Sequence, residues 1–529
     1  MPRVPHQITH THPTTQQPNR FGSIDHLAWG ADSAFVAARL IFSGQFVGAS
    51  AVLRSQLERW TENVAYNSRI KHVPGESAAE FAARAWSRGH EKYPSAIRQE
   101  GDSRVGTEVS KLDFWEDERK AQGLQGPSVV IGKDYRVYPG ALMELLSEFL
   151  HGRGDFIQVL CWDACDLLDG EPAELAEASQ WLSDVLMLNL RQIRVCLAAL
   201  AMEQGKPGLA PPLFALPERI YAGRMAPARF SLFPLLPQTG LSDEIHDQMQ
   251  KASHSYEEVM RGRRPLGRLY RDDEMVHLYF YERRARAGRW ALKALEAEKK
   301  KLGDKFNIGG LSGRESANVI ATETAGILSS WLGDSSQGNA AAMCASALRT
   351  AHWLWLEDDD RSMAALRVVL EQCARLRVWT MKPEKAAKLE ESSTSTPKDW
   401  VNAAGWRRLA PLNRALGEFA HSHGQIRREG AWEILVGVQE NRDSPDAIYT
   451  ARGHLLDTMT ALVMTESTRA VGRLSSVMEN AFREITAENF ADPGNLQENL
   501  EKFLDRAMNL KGVPRGPYTF QGPARGPEE

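Results

Sequence analysis

The stretch Ala51-Val-Leu-Arg-Ser-Gln-Leu-Glu58 decides the fold, because it returns as Ala364-Ala-Leu-Arg-Val-Val-Leu-Glu371 with five of eight positions identical. A second pair follows in the same order. Leu142-Met-Glu-Leu-Leu-Ser-Glu-Phe-Leu-His151 matches Leu412-Asn-Arg-Ala-Leu-Gly-Glu-Phe-Ala-His421 at five of ten positions. Two ordered matches that include polar positions point to an internal duplication. Leu53, Leu57 and Trp60 correspond to Leu366, Leu370 and Cys373, and Leu142, Leu145, Leu146 and Phe149 to Leu412, Ala415, Leu416 and Phe419. Apolar spacings of three and four place each stripe on one face of a helix that packs against a core.

The same periodicity recurs between the motifs and beyond them, carried by Ala, Leu, Arg and Glu, so an all-α protein is expected: two related helical bundles from an internal duplication, joined by a basic helical middle segment. The boundaries read as a disordered tail (1–20), a first bundle (21–205), a proline-rich linker and basic helical segment (206–334), a second bundle (335–490), a terminal helix (491–510) and a second tail (511–529). The one candidate for β-structure is a small hairpin within 128–138.

With 529 residues and 43% hydrophobic composition, the chain can bury a substantial core. Its 64 Lys and Arg oppose 68 Asp and Glu, so a net charge of −4 gives no whole-chain attraction to nucleic acid or membrane. Any basic site must be local. The richest such stretch is 251–305, with 15 basic and 9 acidic residues; Arg261, Arg263, Arg264, Arg268 and Arg271 lie among tyrosines that could stack on bases. A solvated helix face explains the same pattern. Five cysteines in apolar helical segments read as buried free thiols rather than a disulfide framework. The most apolar windows are interrupted by Arg or Gln, and 1–20 has neither a signal-peptide nor an anchor pattern. No membrane and a cytoplasmic location are therefore expected. Gly309-Gly-Leu-Ser-Gly-Arg314 lacks the Lys and Ser or Thr of a phosphate loop and reads as a flexible connection. The acidic run 357–360 reads as a turn capping the next helix.

On a helix, residues four and seven apart return to nearly one direction, so Arg414, Glu418 and His421 share a face. In the first copy that face carries Glu144, Glu148 and His151. Arg414 and His421, with six residues between them, resemble the Arg-x(4–6)-His signature of the HEPN superfamily of small helical bundles. Arg-x-x-Leu-Glu on an earlier helix with Glu-x-x-His ending a later one resembles a HEPN-like bacterial group associated with defence. The resemblance covers about half the chain. It implies a defence or stress protein that binds RNA or cleaves it without metal, as an endoribonuclease, at the interface of the two bundles. Arg414, His421, His151, Glu418 and Glu148 would line the site, supported by Arg54, Glu58, Arg367 and Glu371. His421 would move a proton from the 2′-hydroxyl while Arg414 meets charge on the phosphate. The sequence departs from the pattern at Glu144, which puts an acid where the other copy has Arg414.

Two alternatives use the same residues. Arg54–Glu58 and Arg367–Glu371 are one helical turn apart and suit simple ion pairs, with each histidine closing a helix in a non-catalytic interaction scaffold. Glu58, Glu148, His151, Glu371, Glu418 and His421 also supply the inventory of a ferritin-like di-iron or di-manganese site. The first reading requires no cofactor. Its expected partner is RNA, with a partner protein or a second copy of the chain as alternatives.

Overall fold

The structure is a computed structural model that describes residues 24–42, 44–89, 129–130, 136–153, 157, 161, 172–203, 309–356, 359–392, 395–420, 431–432, 435–436 and 447–489. His421, the five arginines of 261–271, both tails and 491–510 lie outside the described residues. In chain order the described helices are α1 (Ile24–Phe42), α2 (Phe46–Asn67), α3 (Ala78–Gly89), α4 (Pro139–Leu150), α5 (Pro172–Glu203), α6 (Gly309–Leu332), α7 (Ser336–Leu356) and α8 (Arg361–Met381). They continue with α9 (Pro383–Glu391), α10 (Pro397–Ala403), α11 (Ala410–Ala420), α12 (Ala447–Leu474) and α13 (Ser476–Asn489). The protein is all-α. The hairpin is a two-residue pairing, Val129 with Val137 and Val130 with Arg136, which leads directly into α4.

The stripes read from the sequence are buried except at Leu145, which is half-buried. Leu53, Leu57 and Trp60 of α2, and Leu366, Leu370 and Cys373 of α8, are at most 1% exposed, as are Leu412, Ala415 and Leu416 of α11. Buried apolar side chains before and after 203 belong to one connected cluster, so the two motif-bearing segments share a core. At its centre lies α7, nearly all of it buried from Gly338 to Trp355, where small and apolar residues predominate and Arg349 is paired with Glu323 of α6 at 3.1 Å. It packs against α6, α8, α12 and, across the chain, α2. Glycine sets that last crossing. A Cβ on Gly48 of α2 would stand 2.2 Å from a Thr350 methyl, and the Thr350 hydroxyl lies 3.0 Å from Oε1 of Gln45, to which it donates.

The flexible connection expected at Gly309–Arg314 is instead the first turns of α6. Glycine weakens a helix locally by about 1 kcal/mol, but Ile320, Ala321 and Leu328 further along α6 are fully buried, and such packing outweighs local propensity. The acidic run does sit at a helix start: Asp359 Oδ1 accepts the Arg361 backbone N–H at 2.8 Å. The Arg361 guanidinium reaches Asp359 as well as Asp32 and Ser33 of α1. Cys161, Cys196, Cys344 and Cys373 are buried free thiols; burial pushes Cys196 up to about 12. Among the described residues no helix is long and apolar enough to cross a membrane.

Candidate functional site

The two Arg-x-x-Leu-Glu helices touch, and their charges form one cluster. On α8 the Nε of Arg367 donates to Glu371 Oε1 at 2.9 Å; on α2 Nη2 of Arg54 stands 3.3 Å from Glu58 Oε1. These are the same-helix pairs that the spacing suggested. Burial pushes the Arg54 guanidinium down, Glu58 and Glu371 push it up, and the Arg367 charge adds to the lowering. Each motif therefore feels the other.

Onto this cluster comes His151. It is the C-cap of α4, whose end closes through Gly152 at φ 69°. The Gly152 N–H bonds the Phe149 carbonyl and the Arg153 N–H bonds the Glu148 carbonyl, the paired bonds of a Schellman end. His151 Nδ1 then lies 3.5 Å from Glu371 Oε2, longer than an ordinary hydrogen bond. One carboxylate oxygen thus faces the arginine of its own helix and the other faces a histidine from the distant motif. Burial raises the Glu371 carboxyl, but Arg367 and His151 outweigh it and hold the group at about 2.

Arg375, one turn beyond Glu371, fastens the two segments. Its Nη1 donates to the His151 carbonyl and, at 2.8 Å, to that of Gly152, capping the negative end of α4. Its Nη2 donates to both carboxylate oxygens of Glu390 on α9, and its plane lies 4.7 Å from the Trp400 ring. A Cβ on Gly152 would come within 2.5 Å of Arg375 Nη1, so only glycine permits both the backbone turn and this approach. Arg153 Nη2 donates to the Ser395 carbonyl at 2.7 Å and to its hydroxyl at 2.6 Å. Between these ties lies a cavity of about 210 Å³, walled by the last turn of α4, by Gln372 and Arg375 of α8, and by 395–400 at the start of α10.

Of the residues singled out in the sequence, His151, Arg54, Glu58, Arg367 and Glu371 form this junction. Glu148 is exposed on α4 at the cavity wall. Arg414 is exposed on α11, whereas Glu418 is buried, its Oε2 without a hydrogen-bond partner among the described residues. The di-iron alternative does not fit these donors: Glu58 and Glu371 each hold an arginine, Glu148 faces solvent, and no three His, Cys, Asp or Glu side chains converge among the described residues. Arg375, Gln372, Arg153 and Trp400 were not singled out; the Gly152 after His151 was the one local sign that α4 ends in a built turn. No family model, curated protein or solved structure matches the chain.

Proposed function

We propose that the chain is a duplicated, HEPN-like defence or stress protein whose two units meet along the Arg-x-x-Leu-Glu helices, and that the cleft at this junction binds RNA and cleaves it without metal. One observation carries the proposal: His151 of the first unit stands against Glu371 of the second, on the wall of a cavity that Arg153 and Arg375 also line. A histidine with Nδ1 turned to a carboxylate has its ring orientation set, leaving Nε2 to accept the 2′-hydroxyl proton. Arg153 supplies positive charge near the scissile phosphate, a role for which the first unit's own helix has only Glu144 and Glu148. Arg414 and His421 are the corresponding groups of the second unit. The exposed Glu148 at the cavity wall favours one second reading, RNA bound without cleavage, because its charge opposes a phosphate.

The test is incubation of the full-length protein with mixed RNA in excess chelator. Cleavage that persists in chelator and falls at least 100-fold in His151→Ala or His421→Ala is expected, the scale of a lost general base. Cleavage that requires added metal overturns the metal-free mechanism. Binding without cleavage leaves the second reading, and the absence of both leaves a helical scaffold.

A further inference from the structure

Gln372 is 1% exposed, yet neither its Nε2 nor its Oε1 has a hydrogen-bond partner among the described residues. It lines the cavity beside His151, and both amide atoms lie 2.8 Å from where a Gly152 Cβ would be. Leaving a buried amide unpaired is costly, and folded proteins rarely keep such a group without a reason. The neighbouring Arg375 Nε is also buried and without a hydrogen-bond partner among the described residues, while the other nitrogens of that guanidinium bond to α4 and to Glu390. Two residues of the cavity wall thus carry one acceptor and two donors that are buried and have no hydrogen-bond partner among the described residues.

We infer that this cavity takes a single unpaired nucleobase, with Gln372 reading its edge. A primary amide offers a donor beside an acceptor, and each nucleobase has an edge with the complementary pair; this is how glutamine reads adenine in DNA. At about 210 Å³ the space is below the roughly 300–1,000 Å³ of drug-sized pockets, which suits one base with its sugar and phosphate left at the mouth. Trp400 provides an apolar aromatic wall, and Arg153, partly exposed, stands where the phosphate would emerge. Bases that are not paired are the ones whose edges proteins can reach in RNA. The inference deepens the RNA reading and rests on it for the source of the base, which is either a nucleotide within a strand or a free mononucleotide.

The experiment compares the full-length protein with Gln372→Leu by thermal unfolding and calorimetric titration, using AMP, GMP, CMP and UMP as probes and ribose 5-phosphate as the control without a base. At least one mononucleotide is expected to raise the wild-type Tm while ribose 5-phosphate does not. Gln372→Leu should unfold at the wild-type temperature or above it and lose the response, because removing an unpaired buried amide relieves its desolvation penalty. Gln372→Glu, which keeps the shape but replaces the donor, should also lose it and serves should the leucine variant fail to fold. No response to any mononucleotide, an equal response to ribose 5-phosphate, or a full response in both variants overturns the inference. A single-stranded RNA that displaces the mononucleotide, and binds at least tenfold more weakly to Gln372→Leu, identifies a strand as the source. Mononucleotide binding with which RNA does not compete supports the pocket and sinks the RNA reading. RNA binding that is unchanged in Gln372→Leu, with no mononucleotide response, sinks the pocket alone.

Discussion

Helices α2 and α8 carry the same Arg-x-x-Leu-Glu motif and the same ion pair one turn apart, but the residues just beyond it differ. One and four positions after the glutamate, α8 has Gln372 and Arg375, both buried; α2 has Arg59, stacked 4.0 Å over Trp29, and Glu62, exposed and 3.1 Å from His72. The motif sets the helix face, while the flanking residues determine whether that face joins another segment. On α8 they form a dock for the end of α4; on α2 they make local surface contacts.

The largest expected effect breaks that dock. Arg375→Ala leaves two helix-end carbonyls and the partly exposed Glu390 without their cation, and a loss of about 3 kcal/mol follows, read by denaturant unfolding. Glu62→Ala, the matching change on α2, should stay within about 0.5 kcal/mol. Similar losses for the two would erase the distinction between the helices.

Next comes the motif glutamate. Glu371→Gln should cost about 3 kcal/mol because it leaves Arg367 beside a neutral amide in a buried site. Glu58→Gln, at a carboxylate more exposed than Glu371, should cost about 2 kcal/mol because Arg54 is left in a buried site. The effect at Glu371 should also depend on pH. The folded Glu371 carboxyl lies at about 2 against an ordinary 4.5, so its stabilisation is complete above pH 4.5 and declines as pH falls towards 2. The stability gap between wild type and Glu371→Gln should therefore close across that acid window; a gap that is constant from pH 6 to pH 3 would contradict the assignment.

A smaller effect separates two glycines. Gly152→Ala combines a positive φ with a clash against Arg375 and should cost about 2 kcal/mol. Gly75→Ala, at φ 84° with open space around it, should cost about 1 kcal/mol. Equal values by thermal unfolding would show that the approach of Arg375 places no demand on residue 152.

What could be read from the chain and what could not divide along physical lines. The buried stripes of α2, α4, α8 and α11 were legible because burial on a helix imposes a period that local sequence displays. The Arg–Glu pairs were legible for the same reason, since a spacing of four fixes proximity within one helix. The meeting of α2 with α8 was not, because the pairing of distant helices depends on how their faces interlock, and the close approach at Gly48 leaves no periodic trace. The same is true of His151 and Glu371, which are 220 positions apart. The helix at Gly309–Arg314 was missed because its glycines argue locally for a loop while the residues that anchor it lie two turns on.

We propose that His151 and Glu371 act as one unit at an RNA site. The direct measurement is a double-mutant cycle on RNA affinity, comparing wild type, His151→Ala, Glu371→Gln and the double variant at a temperature where all four are folded. Each single change should weaken binding at least tenfold and the double variant no further, because either change alone dismantles the pair. Losses that multiply in the double variant, or a His151→Ala protein that binds RNA like the wild type, would contradict it.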